Sequence, residues 1–228
     1  MNIEKSRPHR APWVTLTIAA VACAIESSPR LQSLCQLSPT TTSLRQAYRL
    51  FTCHLTHWSA DHLIWDVAAF VVLGALCERT SRVAFVACLF ASAAAISLAI
   101  QALEPGFMVY RGLSGIDSAL IGWLTLCSMR RERSRSAVVA GVLLTAFFAK
   151  CGFELVTGRA IFVDARAGGF VPAPLAHLVG AGFGALFALG HAVDERRRSR
   201  VTAARWGQAG TGVYDGPDLC RKSPALRN

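Results

Sequence analysis

Long apolar runs divided by short polar stretches rich in arginine set the pattern of this chain. Six runs stand out, at roughly 12–26, 62–78, 83–103, 113–129, 137–156 and 173–193. A helix needs about 20 apolar residues to cross a bilayer, within a range of about 17–25. The third and last runs meet that length comfortably. The first, second and fourth are short, as expected of helices with tilted neighbours or in a locally thinned bilayer. The pattern predicts an all-α, polytopic membrane protein. A cytoplasmic segment at 1–11 precedes a six-helix membrane domain at 12–193. A basic tail at 194–228 follows, poor in apolar residues, cytoplasmic and assigned no fold.

Composition supports a membrane interior, since hydrophobic residues make up 53% of the 228 positions and charged residues only 17%. Lys5, Arg7 and Arg10 before the apolar stretch 13–25 imitate a secretory signal. Glu26-Ser27-Ser28-Pro29 is a poor cleavage site, however, and more spans follow, so the first run reads as a retained span. The net charge of +10 invites a nucleic-acid reading, which its distribution argues against. The basic residues sit almost wholly between the runs, 17 on the side of the termini and 7 on the other. That bias orients both termini to the cytoplasm, with the lipid bilayer and no nucleic acid as partner. Arg130-Arg131-Glu132-Arg133 and Arg196-Arg197-Arg198 read as stop-transfer anchors. No internal repeat is visible, which counts against a small-solute transporter.

The eight cysteines form no Cys-x-x-Cys pair and no metal-ligand spacing, so neither a metal nor a cofactor is expected. Cys35 and Cys53 share the long external loop 27–61 and could form a disulfide if that side is oxidising; whether they do is left open by the sequence. The second half of this loop mixes Leu50, Phe51, Leu55 and Trp58 with Arg49, His54 and His57, as expected for a segment lying in the interface. The loop at 157–172, with Gly158, Gly168, Gly169 and Pro172, has the flexibility of a lid.

Candidate chemistry begins at Tyr110-Arg111-Gly112-Leu113-Ser114-Gly115. A membrane helix needs no serine between glycines at its start, which makes Ser114 a candidate nucleophile. The pattern arises often by chance and counts only if a base stands beside it. Ionisable side chains within spans are costly and therefore functional suspects; here they are His62, Asp66, Asp117, Glu154 and His177. Ser114 lies in the first turn of the fourth run. His62 opens the second, with Asp66 one turn deeper. His177 lies about 6 Å into the last at 1.5 Å per residue. Three helices thus bring these groups to one level in the outer third of the membrane.

A serine attacks a carbonyl only if a base removes its proton, and imidazole suits that role near neutral pH. His177 precedes Gly180 and Gly184, a small-residue face, and Gly115 and Gly122 give the fourth run a similar one. Close contact between these helices would put His177 beside Ser114. The bland reading is that His177 merely hydrogen-bonds across helices. His62 would face the same cavity as an oxyanion donor.

These residues carry a resemblance to rhomboid proteases over roughly 45–190. Tyr48 to His57, followed by His62-Leu63 and Asp66, resembles their first external loop and second helix. Gly112-Leu113-Ser114-Gly115 is similar to their nucleophile motif. His177-Leu178-Val179-Gly180 with Gly184 resembles their catalytic-histidine helix. Arg111 to Gly115 and the Trp65-Asp66 pair look most like the rhombosortase branch. The resemblance implies a rhomboid-like six-helix bundle in a bacterial inner membrane, with a Ser114–His177 dyad that cuts anchored proteins near the outer end of their span. His62, the Ser114 amide and Gly112 would line the oxyanion side. The branch implies substrates with a C-terminal Gly-Gly-containing membrane anchor.

Three positions depart from the family pattern. Asp66 stands where asparagine is usual, and an ionised carboxylate cannot donate to an oxyanion. It either carries its proton or orients His62. Ser118 replaces an aromatic residue that often packs on the catalytic histidine. Asp117 is a candidate to orient His177, or to pair with another span. Arg49 resembles a loop anchor and Glu78 a helix-end glutamate, neither catalytic. The alternative is an inactive relative that binds or escorts membrane helices.

Overall fold

The structure, a computed structural model, describes residues 11–40, 43–104, 106–130, 135–161, 163 and 169–209. Lys5, Arg7, Arg10, Arg131, Arg133, Gly168 and the tail beyond 209 lie outside the described residues. Within them the chain is all helical, with one isolated bridge between Leu37 and Tyr110. The helices are α1 (Trp13–Glu26), α2 (Pro29–Cys35), α3 (Arg49–Thr52), α4 (Ala60–Thr80), α5 (Arg82–Leu103), α6 (Ser114–Met129), α7 (Arg135–Thr157) and α8 (Pro174–Ala209).

Four helices are long and apolar enough to span a membrane: α4, α5, α7 and α8 as far as His191. The pair α1 and α2 meets at 117° and makes a fifth, broken candidate. Six runs were expected; four or five candidates meet the length and hydropathy criteria, because α1 and α6 are short. With 16 residues, α6 is about 24 Å long at 1.5 Å per residue, under the ~30 Å of a hydrocarbon core.

The tail expected to lack a fold is helical as far as Ala209. The reason is local. Ala and Arg, both good helix formers, dominate 192–206, and no Gly or Pro falls between Gly190 and Gly207. Met1–His191 forms one compact unit and Ala192–Asn228 a second.

Polar side chains build the joints between the apolar rods. Ser28 accepts from the Leu31 amide and Pro29 follows at the first helical position, so α2 starts where the chain turns from α1. Ser81 closes α4 through its amide to the Cys77 carbonyl, and its hydroxyl caps α5 by accepting from Ala84 N. Glu78, at the end of α4, accepts from the Val14 and Thr15 amides at 3.2 and 2.9 Å and from the Thr15 hydroxyl. It thereby satisfies first-turn donors of α1 that have no intrahelical partner. Arg82 pairs with Glu78 at 2.9 Å and donates to the Ala11 carbonyl.

The second half of the first loop packs on protein. Cys53, His54, Thr56 and His57 are buried. Ser97 of α5 donates to the Leu50 carbonyl at 2.8 Å, and His54 Nε2 lies 3.2 Å from the Ala93 carbonyl. Gly112 N donates to the Cys53 carbonyl, which ties this platform to the turn before α6. Cys35 and Cys53 are free thiols. The disulfide does not form: Cys53 Sγ sits 3.4 Å from the Ser97 hydroxyl, and burial pushes its thiol up to about 12, far from a reactive thiolate.

Candidate active site

Helices α6 and α8 touch through their backbones. A Cβ at Gly180 would overlap the Gly115 carbonyl, one at Gly184 the Ala119 carbonyl, and one at Gly122 the Ala181 carbonyl. Only glycine permits this approach. It brings the first turns of the two helices together, and His177 Nε2 lies 3.1 Å from Ser114 Oγ.

The turn into α6 depends on Gly112. Its φ of +123° belongs to the region that side-chain-bearing residues avoid. A Cβ there would lie 3.1 Å from the His62 ring and 3.2 Å from Asp66 Oδ2. The glycine thus permits the turn and leaves room for His62. Arg111 anchors the same turn from outside. Its guanidinium donates to Gln36, Gln32 and the His57 carbonyl and lies 4.7 Å over the Trp58 ring.

Asp66 is the hub beside the Ser114 amide. Its Oδ2 accepts from Ser114 N at 3.1 Å and lies 3.4 Å from His57 Nε2 and 3.3 Å from His62 Nε2. The carboxylate therefore occupies the Ser114 amide. His62 is covered by Phe170, whose ring stacks on it at 5.2 Å and on Trp58 at 5.7 Å. Phe170 belongs to the loop expected to form a lid.

On the far side of His177, Nδ1 lies 3.1 Å from Glu154 Oε2 and 3.4 Å from Lys150 Nζ, both on α7. Lys150 donates to Glu154 Oε1 at 2.7 Å. Asp117 lines the same cavity, but no described hydrogen bond links it to His177, and its Oδ1 is buried without a partner. Ser118 donates to the Ser114 carbonyl at 2.7 Å, which leaves no aromatic ring against His177 from that position.

Ser114, His177, His62, Asp66, Lys150 and Glu154 border one cavity of about 710 Å³. The structure thus brings Ser114, His177, His62, Asp66 and Gly112 together. Sequence reading placed His57 in the first external loop without a role in the site, and did not single out Lys150. It flagged Glu154 without a partner. Its signal was a carboxylate in an apolar helix with a lysine one turn earlier.

A serine in bonding distance of an imidazole lies in a cavity among apolar helices. A family model, the Rhomboid domain, matches residues 44–192, well over half of the chain. The protein belongs to the rhomboid family. Comparison with curated proteins gives no match. This is a family of intramembrane proteases that act on membrane-embedded substrates. Family and helices together make the chain a multi-pass integral membrane protein.

Proposed function

We propose that the protein is an intramembrane serine endopeptidase in which Ser114 is the nucleophile and His177 its general base. The observation that carries this reading is the 3.1 Å contact between Ser114 Oγ and His177 Nε2. His177 takes the hydroxyl proton as Oγ attacks the scissile carbonyl carbon, and the carbonyl electrons move onto oxygen. The imidazolium then passes that proton to the leaving amine as the C–N bond breaks, leaving an acyl-Ser114 that water hydrolyses. The nascent oxyanion takes the place that Asp66 Oδ2 holds at the Ser114 amide, while His62 donates from the side. Asp66 stays paired with His57.

The wording around Ser114 and the Trp65-Asp66 pair favour the rhombosortase branch. The substrates are then proteins held by a C-terminal anchor containing Gly-Gly, cut near the outer end of that anchor. The charge distribution favours six membrane-crossing segments with both termini in the cytoplasm, in a bacterial inner membrane.

The test is labelling of membranes with a fluorophosphonate probe. The parent is expected to label, while Ser114→Ala loses labelling, His177→Ala keeps only a slow residual rate, and both lose cleavage of a Gly-Gly-anchored reporter, at undiminished expression. The escort reading draws on Asp66 occupying the Ser114 amide and expects no labelling of the parent. A parent that never labels would refute the protease.

A further inference from the structure

Glu154 reaches the site from α7, a helix that supplies neither the serine nor its base. We propose that Glu154 is a positioning residue that holds His177 through Nδ1–H, so that Nε2 faces Ser114 as an acceptor and the pair works as a Ser–His–Glu triad. The inference rests on the protease reading above.

Burial makes Glu154 expensive. It is 3% exposed, on a helix whose other faces are apolar. A carboxylate in such a place needs its oxygens paired. Lys150 supplies one partner, at Oε1. Oε2 has no well-aligned donor, and the group within reach is His177 Nδ1 at 3.1 Å.

The contact decides the tautomer. Lys150 Nζ is also 3.4 Å from Nδ1, which suggests the opposite arrangement, with Nδ1 accepting from the ammonium. In that case Nε2 carries the proton and donates to Ser114 Oγ, so it cannot remove the serine proton. Glu154 Oε2 is then buried with no donor. With the proton on Nδ1, Oε2 gains the donor within its reach at 3.1 Å, Lys150 remains bonded to Oε1, and Nε2 is free to act as base. Of the two neutral tautomers this one gives Oε2 a donor, and it is the competent one. The carboxylate also stands ready to stabilise the imidazolium without taking its proton. Asp117 is badly placed for this role. It lies on α6 with Ser114, the helix that Nε2 faces, whereas Nδ1 faces α7.

The experiment measures fluorophosphonate labelling rates of the full-length protein in detergent. Glu154→Gln is expected to lower the maximal labelling rate by about 10²–10⁴-fold, with the half-saturating probe concentration within about twofold of the parent. Glu154→Asp recovers part of the rate. In a His177→Ala background, Glu154→Gln changes the residual rate little, because the residue acts only through the histidine. A structural role instead predicts the same proportional loss in both backgrounds. That result, or a parent-like Glu154→Gln, overturns the triad while Ser114-dependent labelling of the parent still upholds the protease. A parent without Ser114-dependent labelling overturns both. Should Glu154→Gln not accumulate, Lys150→Gln/Glu154→Gln removes both charges at once and carries the same comparison.

Discussion

At the scale of single residues, the site is made by groups that are costly where they stand. Gly112 holds a positive φ against the His62 ring, and Asp66 gathers two imidazoles and the Ser114 amide around one oxygen. His54 shows the same economy outside the spans. It is buried between the first loop and α5, and burial holds its imidazole down to about 4 from the usual 6.5. The folded protein therefore keeps His54 neutral, while the unfolded chain binds a proton below 6.5. Stability from this residue is whole above 6.5 and is lost as pH falls from 6.5 towards 4. Thermal melts in detergent should show that decline, and His54→Gln should flatten it. A parent melting curve with no pH dependence across this window would contradict the assignment. The sequence placed His54 in an interface, because burial by a distant helix leaves no mark on the residues around it.

Among the helices, the contact that matters is α6 against α8. It was legible in the chain, since Gly180 and Gly184 on one run and Gly115 and Gly122 on the other are a recognisable close-packing signal. Depth was legible too, because each residue's distance from the start of its run is a count. The rotation of a helix about its axis is harder to read in a run that is apolar almost all round. For that reason Glu154 stood out as an oddity in α7 without its face being known, and Asp117 was the more visible acid. The Phe170 stack on His62 was equally hidden, since an irregular loop has no period to read. Gly180→Val tests the helix contact. The side chain meets the Gly115 carbonyl, so the helices must separate and the 3.1 Å Ser114–His177 contact must lengthen. Probe labelling is expected to fall at least as far as in His177→Ala, and parent-like labelling would show that the contact is not needed.

For the whole molecule, α7 is the least buried of the four long apolar helices. Of its apolar window, 22% is buried, against 44% for α5. Val138, Val142, Leu155 and Val156 face outward, while Phe147 and Cys151 hold it to Ala181 of α8 and Ile121 of α6. A substrate helix must enter somewhere, and the least buried wall is the natural place. Yet α7 also carries Glu154, so moving it aside to admit substrate takes the positioning acid away from His177. Entry and competence then exclude each other in time, which guards Ser114 until α7 has closed again. Phe147→Ala separates this from a simple gate. If α7 were only a barrier, loosening it would speed labelling by a small probe or leave it unchanged. With Glu154 on the same helix, labelling should slow, because the carboxylate no longer stays against His177. In a Glu154→Gln background, Phe147→Ala should cause no further slowing, since the group whose position it disturbs is already gone. Faster labelling by Phe147→Ala in the otherwise unaltered protein would restrict α7 to the role of a wall.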